Sequence, residues 1–178
     1  MIIQFCGLSG SGKTTLAMNA GKYFEKKGIE FEVIDADEYR KLLCADLGFT
    51  KEDRNTNIRR LAFVANKLSA HNVITVICAI NPYDDIRKEV AVNYRNVKTV
   101  FIKCSIEELR KRDTKGMYAR ALLPDSDARK INNLSGVNDP FEPPAEADLV
   151  IETDKETVDV STKRLIRFIE ENLDTPIS

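Results

Sequence analysis

Residues 7–14 read GLSGSGKT, a full match to GxxxxGK[ST]. At average residue usage such a match arises by chance in about 0.6% of chains this long, so it is read as chemistry. Gly7, Gly10 and Gly12 let the main chain pass through positive φ and approach an anion with no Cβ in the way. The amides of Leu8, Ser9 and Ser11, with the positive end of the helix that follows and its Thr15, would surround a phosphate. Lys13 adds a point charge at the β- and γ-phosphates, and the Thr14 hydroxyl suits Mg²⁺. Residues 7–15 are therefore expected to bind a nucleoside triphosphate with magnesium.

A second chemical group ends the next apolar run. In VIDAD, Asp35 and Asp37 are two apart, so on an extended segment both carboxylates point the same way. One would hold the metal through water, and the other would accept a proton from an attacking hydroxyl. Arg40, Arg54, Arg59 and Arg60 form a local basic cluster. Arg54 and Asn57 lie three apart near a helix start and can face one ligand, for which a guanidinium fork suits phosphate or sulfate. Arg59 and Arg60 read equally well as a solvated helix face. The lone His71 falls at a helix end, where it would meet the last carbonyls rather than act as a base. No His or Cys cluster has metal-ligand spacing.

These groups need a frame, and the apolar pattern supplies one. Strands are expected at residues 2–6, 31–34, 73–80, 97–103 and 149–151. Helical spacing runs through Leu16, Ala20, Tyr23 and Phe24, and again through Ile58, Leu61, Val64, Ala65 and Leu68 after a capping-box pattern at Thr50 and Asp53. A short helix is expected at residues 106–112, and a terminal one presents Val158, Leu165, Ile166, Ile169 and Leu173 on one side. Apolar strands alternating with helices imply a three-layer α/β fold, a parallel sheet covered on both faces. The length of 178 residues fits one domain over residues 1–178. Residues 113–147, rich in Gly, Pro and charge (Lys115, Arg120, Asp125, Asp127, Arg129, Lys130), are expected to form a lid over an ionic ligand.

Composition removes other classes. Lys plus Arg number 27 against 28 Asp plus Glu, a net charge of -1, which argues against a globally basic nucleic-acid binder. No apolar run approaches the roughly 20 residues of a membrane helix, and MIIQFC lacks the charged leader of a secretory signal. The four cysteines show no CxxC pair, so a reduced, cytoplasmic protein is expected. A guanine-reading switch is disfavoured because Asn66-Lys67-Leu68-Ser69 lacks the acid of NKxD.

Taken together, the motifs resemble the adenylyl-sulfate (APS) kinase family of P-loop kinases over roughly residues 2–170. They are GLSGSGKTT from Gly7, DADEYR from Asp35, GFTKEDRNTNIRR from Gly48, INPYDDIR from Ile80, RDTKGMYARA from Arg112 and LSGVNDPFEPP from Leu134, in that order. The resemblance implies a P-loop NTPase fold and transfer of the γ-phosphoryl of MgATP to the ribose 3′-hydroxyl of APS. It implies Asp37 as the group that orients or deprotonates that hydroxyl, and Asp35 nearer the metal with Thr14. Arg40, Arg54 and Asn57 would grip phosphosulfate and sugar, Phe49 would stand in the nucleotide pocket, the Ile80 backbone would contact APS, and Lys115 would belong to the lid. The family is often dimeric, so a homodimer is expected.

The chain departs from the family pattern at several places. Asn81 stands where the family has a serine, so no phosphoserine can form there and direct transfer is expected. Leu134 replaces a phenylalanine that stacks on the acceptor's adenine; losing one stacking face costs about 1–3 kcal/mol. Asp84 replaces a frequent arginine, and Phe63 replaces a glutamate, as an aromatic surface or as core. The alternative reading is a related kinase acting on the ribose of another nucleotide conjugate, such as one carrying cytosine.

Overall fold

Each expected apolar run becomes a strand, and the five strands pair in parallel in the order β2-β3-β1-β4-β5. They are β1 Ile2–Cys6, β2 Phe31–Asp35, β3 Ile74–Cys78, β4 Val97–Lys103 and β5 Leu149–Glu152. The structure, a computed structural model, describes residues 1–173, so the last five residues of the expected 1–178 domain lie outside the described residues.

Period-two alternation sends each strand's side chains to two cores. Ile3 and Phe5 meet Leu16, Ala20 and Phe24 of α1 (Lys13–Lys26) and Leu165 and Ile169 of α7 (Val158–Asn172). Ile2 and Ile77 meet Ile58, Leu61 and Ala65 of α3 (Lys51–Ser69) and Ile86 and Val90 of α4 (Asp84–Asn93) on the other face. This is the expected three-layer arrangement, and truncating a buried ring such as Phe24 would cost about 3–5 kcal/mol. Thr50 and Asp53 close the expected capping box on α3, and His71 lies exposed just past that helix. All four cysteines are buried and free.

Three helices were not anticipated. The single turn α2 (Ala36–Tyr39) is set by Asp35, whose side chain accepts from the Asp37 N–H. In α4 the inward row is Ile86, Arg87 and Val90, and a buried arginine hides the apolar stripe. The five-residue α6 (Met117–Ala121) is too short to show a period. It packs with α5 (Ile106–Arg112) in a third small cluster of Cys104, Leu109, Tyr118, Ala121 and Leu134, so residues 113–147 share a small core with the end of β4 and α5. Among the described residues no helix is long and apolar enough to cross a membrane.

Candidate active site

The glycine-rich loop leaves β1 and enters α1. Gly7 at φ 153° lies so close to β4 that a Cβ would fall 2.3 Å from the Ile102 carbonyl, and Gly12 at φ 97° caps α1 in the left-handed region. Four of the loop's carbonyls are taken up by side-chain donors. Lys13 Nζ donates to Gly7 O and Leu8 O, both at 2.8 Å; Tyr118 Oη donates to Ser9 O at 2.8 Å and Thr153 Oγ1 to Ser11 O at 2.9 Å. With these carbonyls occupied, the loop and the N-terminal end of α1, which line the cleft, make an anion site. Burial draws the Lys13 ammonium down to about 8, and the nearby Lys115 charge pushes the same way. An arriving phosphate would reverse both effects.

The cleft runs on at both ends of this loop. A cavity of about 280 Å³ is lined by the loop, Asp35, Asp37, Cys78, Ile80 and Lys115. Cys78 is no nucleophile there, because burial raises its thiol to about 12. On one side the cavity shares Gly10, Gly12 and Thr15 with a larger one of about 430 Å³, closed by Arg112, Thr153, Glu156 and Thr157. On the other it shares Ala36, Asp37, Ala79 and Ile80 with a pocket of about 80 Å³ that includes Arg40, Phe49, Arg54, Asn57 and Asn81. Three spaces thus stand in series, with the phosphate loop in the middle. The larger one went unread in the sequence, although Arg112 opens the RDTKG segment and was a visible signal.

The acid pair divides its contacts. Asp35 Oδ2 accepts from Thr14 Oγ1 at 3.0 Å while Oδ1 caps α2, so this carboxylate faces the loop. Asp37 Oδ2 accepts from Lys115 Nζ at 2.6 Å across the cleft, with side chains 76% and 57% exposed. Within residues 113–147, Lys130 pairs with Asp125 and Arg129 with Asp127.

Around the small pocket, Arg40 donates to Gly48 O at 2.8 Å and lies 4.7 Å from the Phe49 ring, whose other guanidinium neighbour is Arg54 at 5.6 Å. Burial lowers the Arg40 pKa, and Arg54 adds to it. Arg54 donates to Phe49 O and, across the chain, to Asn133 O at 2.6 Å, and pairs with Asp139 at 3.0 Å. Asn57 Oδ1 is buried without a donor. Arg59 and Arg60 stand apart: Arg59 pairs with Glu52 and Glu89, Arg60 with Asp46, which is the solvated-face reading. Phe63 is 54% exposed beneath Lys67, so it is not core, and it lines none of the three spaces. Leu134, expected beside the acceptor, is 1% exposed in the third apolar cluster and does not line the small pocket. Asp84 pairs with Arg87 and Lys88.

A parallel sheet in this order, with a lysine-bearing glycine loop at the end of its central strand, defines a P-loop phosphotransferase. The sequence profile described as adenylylsulphate kinase matches residues 1–152. Adenylyl-sulfate kinase of Halothermothrix orenii is 41% identical over 169 residues, covering 95% of this chain and 89% of that one. The enzyme of the same name from Deinococcus deserti is 41% identical over 165 residues, covering 93% and 88%. The solved APS kinase of Mycobacterium tuberculosis, in complex with AMPPNP and APS, superposes with a TM-score of 0.86 at 33% identity, covering 95% of this chain and 96% of that one. The chain belongs to the adenylyl-sulfate kinase family and is an ATP-dependent phosphotransferase.

Proposed function

We propose that the chain performs the adenylyl-sulfate kinase reaction with its three spaces in fixed roles. ATP places its base and ribose in the cavity closed by Arg112 and Thr153, and its phosphates in the loop of residues 7–15. APS occupies the small pocket, with Arg40, Arg54 and Asn57 at its phosphosulfate and sugar and Phe49 beside the nucleotide. The observation that carries this reading is that Asp37 and Ile80 line both the phosphate cleft and the small pocket. A hydroxyl presented beside Asp37 sits at the end of the triphosphate.

In the reaction the ribose 3′-oxygen forms a bond to the γ-phosphorus and the bond to the β–γ bridging oxygen breaks. The hydroxyl proton passes to Asp37 and ADP leaves. Lys13 follows the charge moving onto the leaving phosphate, and most of the acceleration comes from this alignment. Among the described residues no group of three or more His, Cys, Asp or Glu side chains could hold a metal by itself. That fits Mg²⁺, which binds through few protein oxygens plus phosphates; Thr14 and Asp35, hard oxygen donors 3.0 Å apart, would hold it. When bound, it neutralises charge on the β- and γ-phosphates.

Residues 113–147 act as the lid of one domain, with Lys115 the group that reaches the cleft and exchanges Asp37 for substrate charge. Four buried free thiols support a reducing, cytoplasmic setting. A homodimer is part of the same proposal, and sedimentation velocity tests it. The reaction is tested by coupled ADP release with APS beside a panel of nucleotides that includes cytidine conjugates. Turnover with APS is expected; turnover with a non-adenine acceptor alone would overturn the reading.

A further inference from the structure

Beside the acceptor pocket lies a set of buried polar side chains, of which only Asn81 lines the pocket itself. Gln4 in β1, Asn81 after β3 and Arg87 in α4 are 0%, 1% and 2% exposed, within otherwise apolar packing. A buried guanidinium is costly unless its donors are committed; here both terminal nitrogens are committed while Nε has no partner, so the terminal contacts show what the side chain is for. Nη1 donates to Asn81 O at 2.6 Å; Nη2 donates to Glu142 O at 2.7 Å and to Asp84 Oδ1 at 3.0 Å. Two of these acceptors are main-chain carbonyls of different segments, the loop after β3 and the far end of residues 113–147. Glu142 returns two ties to the same loop, its N–H to Pro82 O at 2.8 Å and its carboxylate to the Asp84 N–H at 2.7 Å.

Gln4 fixes the other side. Its Nε2 donates to Arg87 O at 2.9 Å and Thr99 Oγ1 at 3.0 Å, and its Oε1 accepts from Asn81 Nδ2 at 3.3 Å. A carbonyl can only accept, so Arg87 O settles which way the Gln4 amide faces, and that in turn settles Asn81. Asn81 is thereby gripped at both its amide and its carbonyl while its backbone stands at φ 48°, a conformation asparagine tolerates. One residue earlier, Ile80 O accepts from the Gly7 N–H at 3.0 Å. The loop at residues 79–83 therefore touches the donor loop at one end and the lid segment at the other, and Arg87 is where the lid is fastened.

We infer that Arg87 is a positioning residue, a buried strut that holds the acceptor loop and the Glu142 end of the lid in one register. It lines neither the phosphate cleft nor the small pocket, so it acts through Asn81 and Glu142 and not on substrate. The inference rests on reading the small pocket as the acceptor site. A lysine cannot replace it, because a point charge lacks the planar fork that spans two carbonyls.

The test compares Arg87→Lys, and Glu142→Ala at an exposed side chain, with the parent in steady-state kinetics and amide hydrogen exchange. Arg87→Lys is expected to raise the APS KM at least tenfold while the ATP KM stays within twofold. Exchange should quicken together at residues 80–84 and 140–144 but not in α1. Glu142→Ala should do the same to a smaller degree, which keeps the test alive if the lysine variant does not fold. Equal changes in both KM values, or exchange that quickens across the whole sheet, would reduce Arg87 to ordinary packing and overturn the proposal. A parent that does not turn over APS would defeat the functional reading alone, and the exchange pattern would still decide the strut.

Discussion

The phosphate loop and the small pocket we assign to the acceptor meet at Asp37 and Ile80, yet they are held by different means. The motif is eight consecutive residues that leave a buried strand and enter a helix, with its carbonyls bonded to Lys13, Tyr118 and Thr153. The acceptor side is drawn from α2, α3, the loop after β3 and the lid, joined by contacts such as Lys115–Asp37 and Arg54–Asn133. An exposed ion pair of the first kind contributes about 0–1 kcal/mol. Distorting the loop would require breaking several buried or half-buried hydrogen bonds, each worth about 1 kcal/mol. The donor loop is therefore held by ties close around it, whereas on the acceptor side the exposed Lys115–Asp37 pair is the contact that parts at little cost.

If that contrast is right, the largest effect belongs to the loop. Lys13→Ala should lower kcat by about a thousandfold or more, with a melting temperature close to the parent's; a loss under tenfold would break the comparison. Next comes the boundary. Asp37→Asn should cost about 10²–10⁴ in kcat and leave the ATP KM nearly unchanged, and a parallel rise in that KM would move Asp37 to the donor side.

Arg54→Ala should raise the APS KM about 10- to 100-fold, the loss of a charge-assisted bond, with the ATP KM within twofold. Equal effects on the two substrates would mean the pocket is not the acceptor's.

The smallest effect is a proton count. Lys13 sits near 8 in the folded chain against 10.5 ordinarily, so it favours the neutral form. The sign follows: its contribution to stability is complete above 10.5, falls as pH drops from 10.5 to 8, and is constant below. A bound triphosphate restores the ammonium, so nucleotide binding at pH 8 should take up about half a proton, and almost none at pH 6. Calorimetry in buffers of different ionisation enthalpy reads this, and Lys13→Met should abolish it.

The same contrast decides what the sequence disclosed. The loop, the strands and the α3 capping box are local patterns, and residues a few positions apart carry all their geometry. The ties across the cleft are not local: Lys115 reaches Asp37 78 residues away and Arg54 reaches Asn133 79 residues away. Helix α4 escaped notice because Arg87 occupies an inward position that an apolar stripe would fill. Leu134 shows the limit of matching by position. Its place in the motif put it beside the acceptor's base, but its side chain is spent in the cluster with Leu109 and Tyr118. Arg59 and Arg60 lie in the same motif as Arg54, and only their carboxylate partners reveal that they serve the surface.

The most direct test of the account is the fate of phosphorus in one turnover. ATP made chiral at the γ-position by thio and oxygen-isotope substitution is incubated with APS and the intact chain, and the product is analysed by ³¹P NMR. The account predicts a thiophosphate monoester on the ribose 3′-oxygen with inverted configuration, one in-line displacement from donor to acceptor. Retained configuration, or label on any other atom of the acceptor, would contradict it.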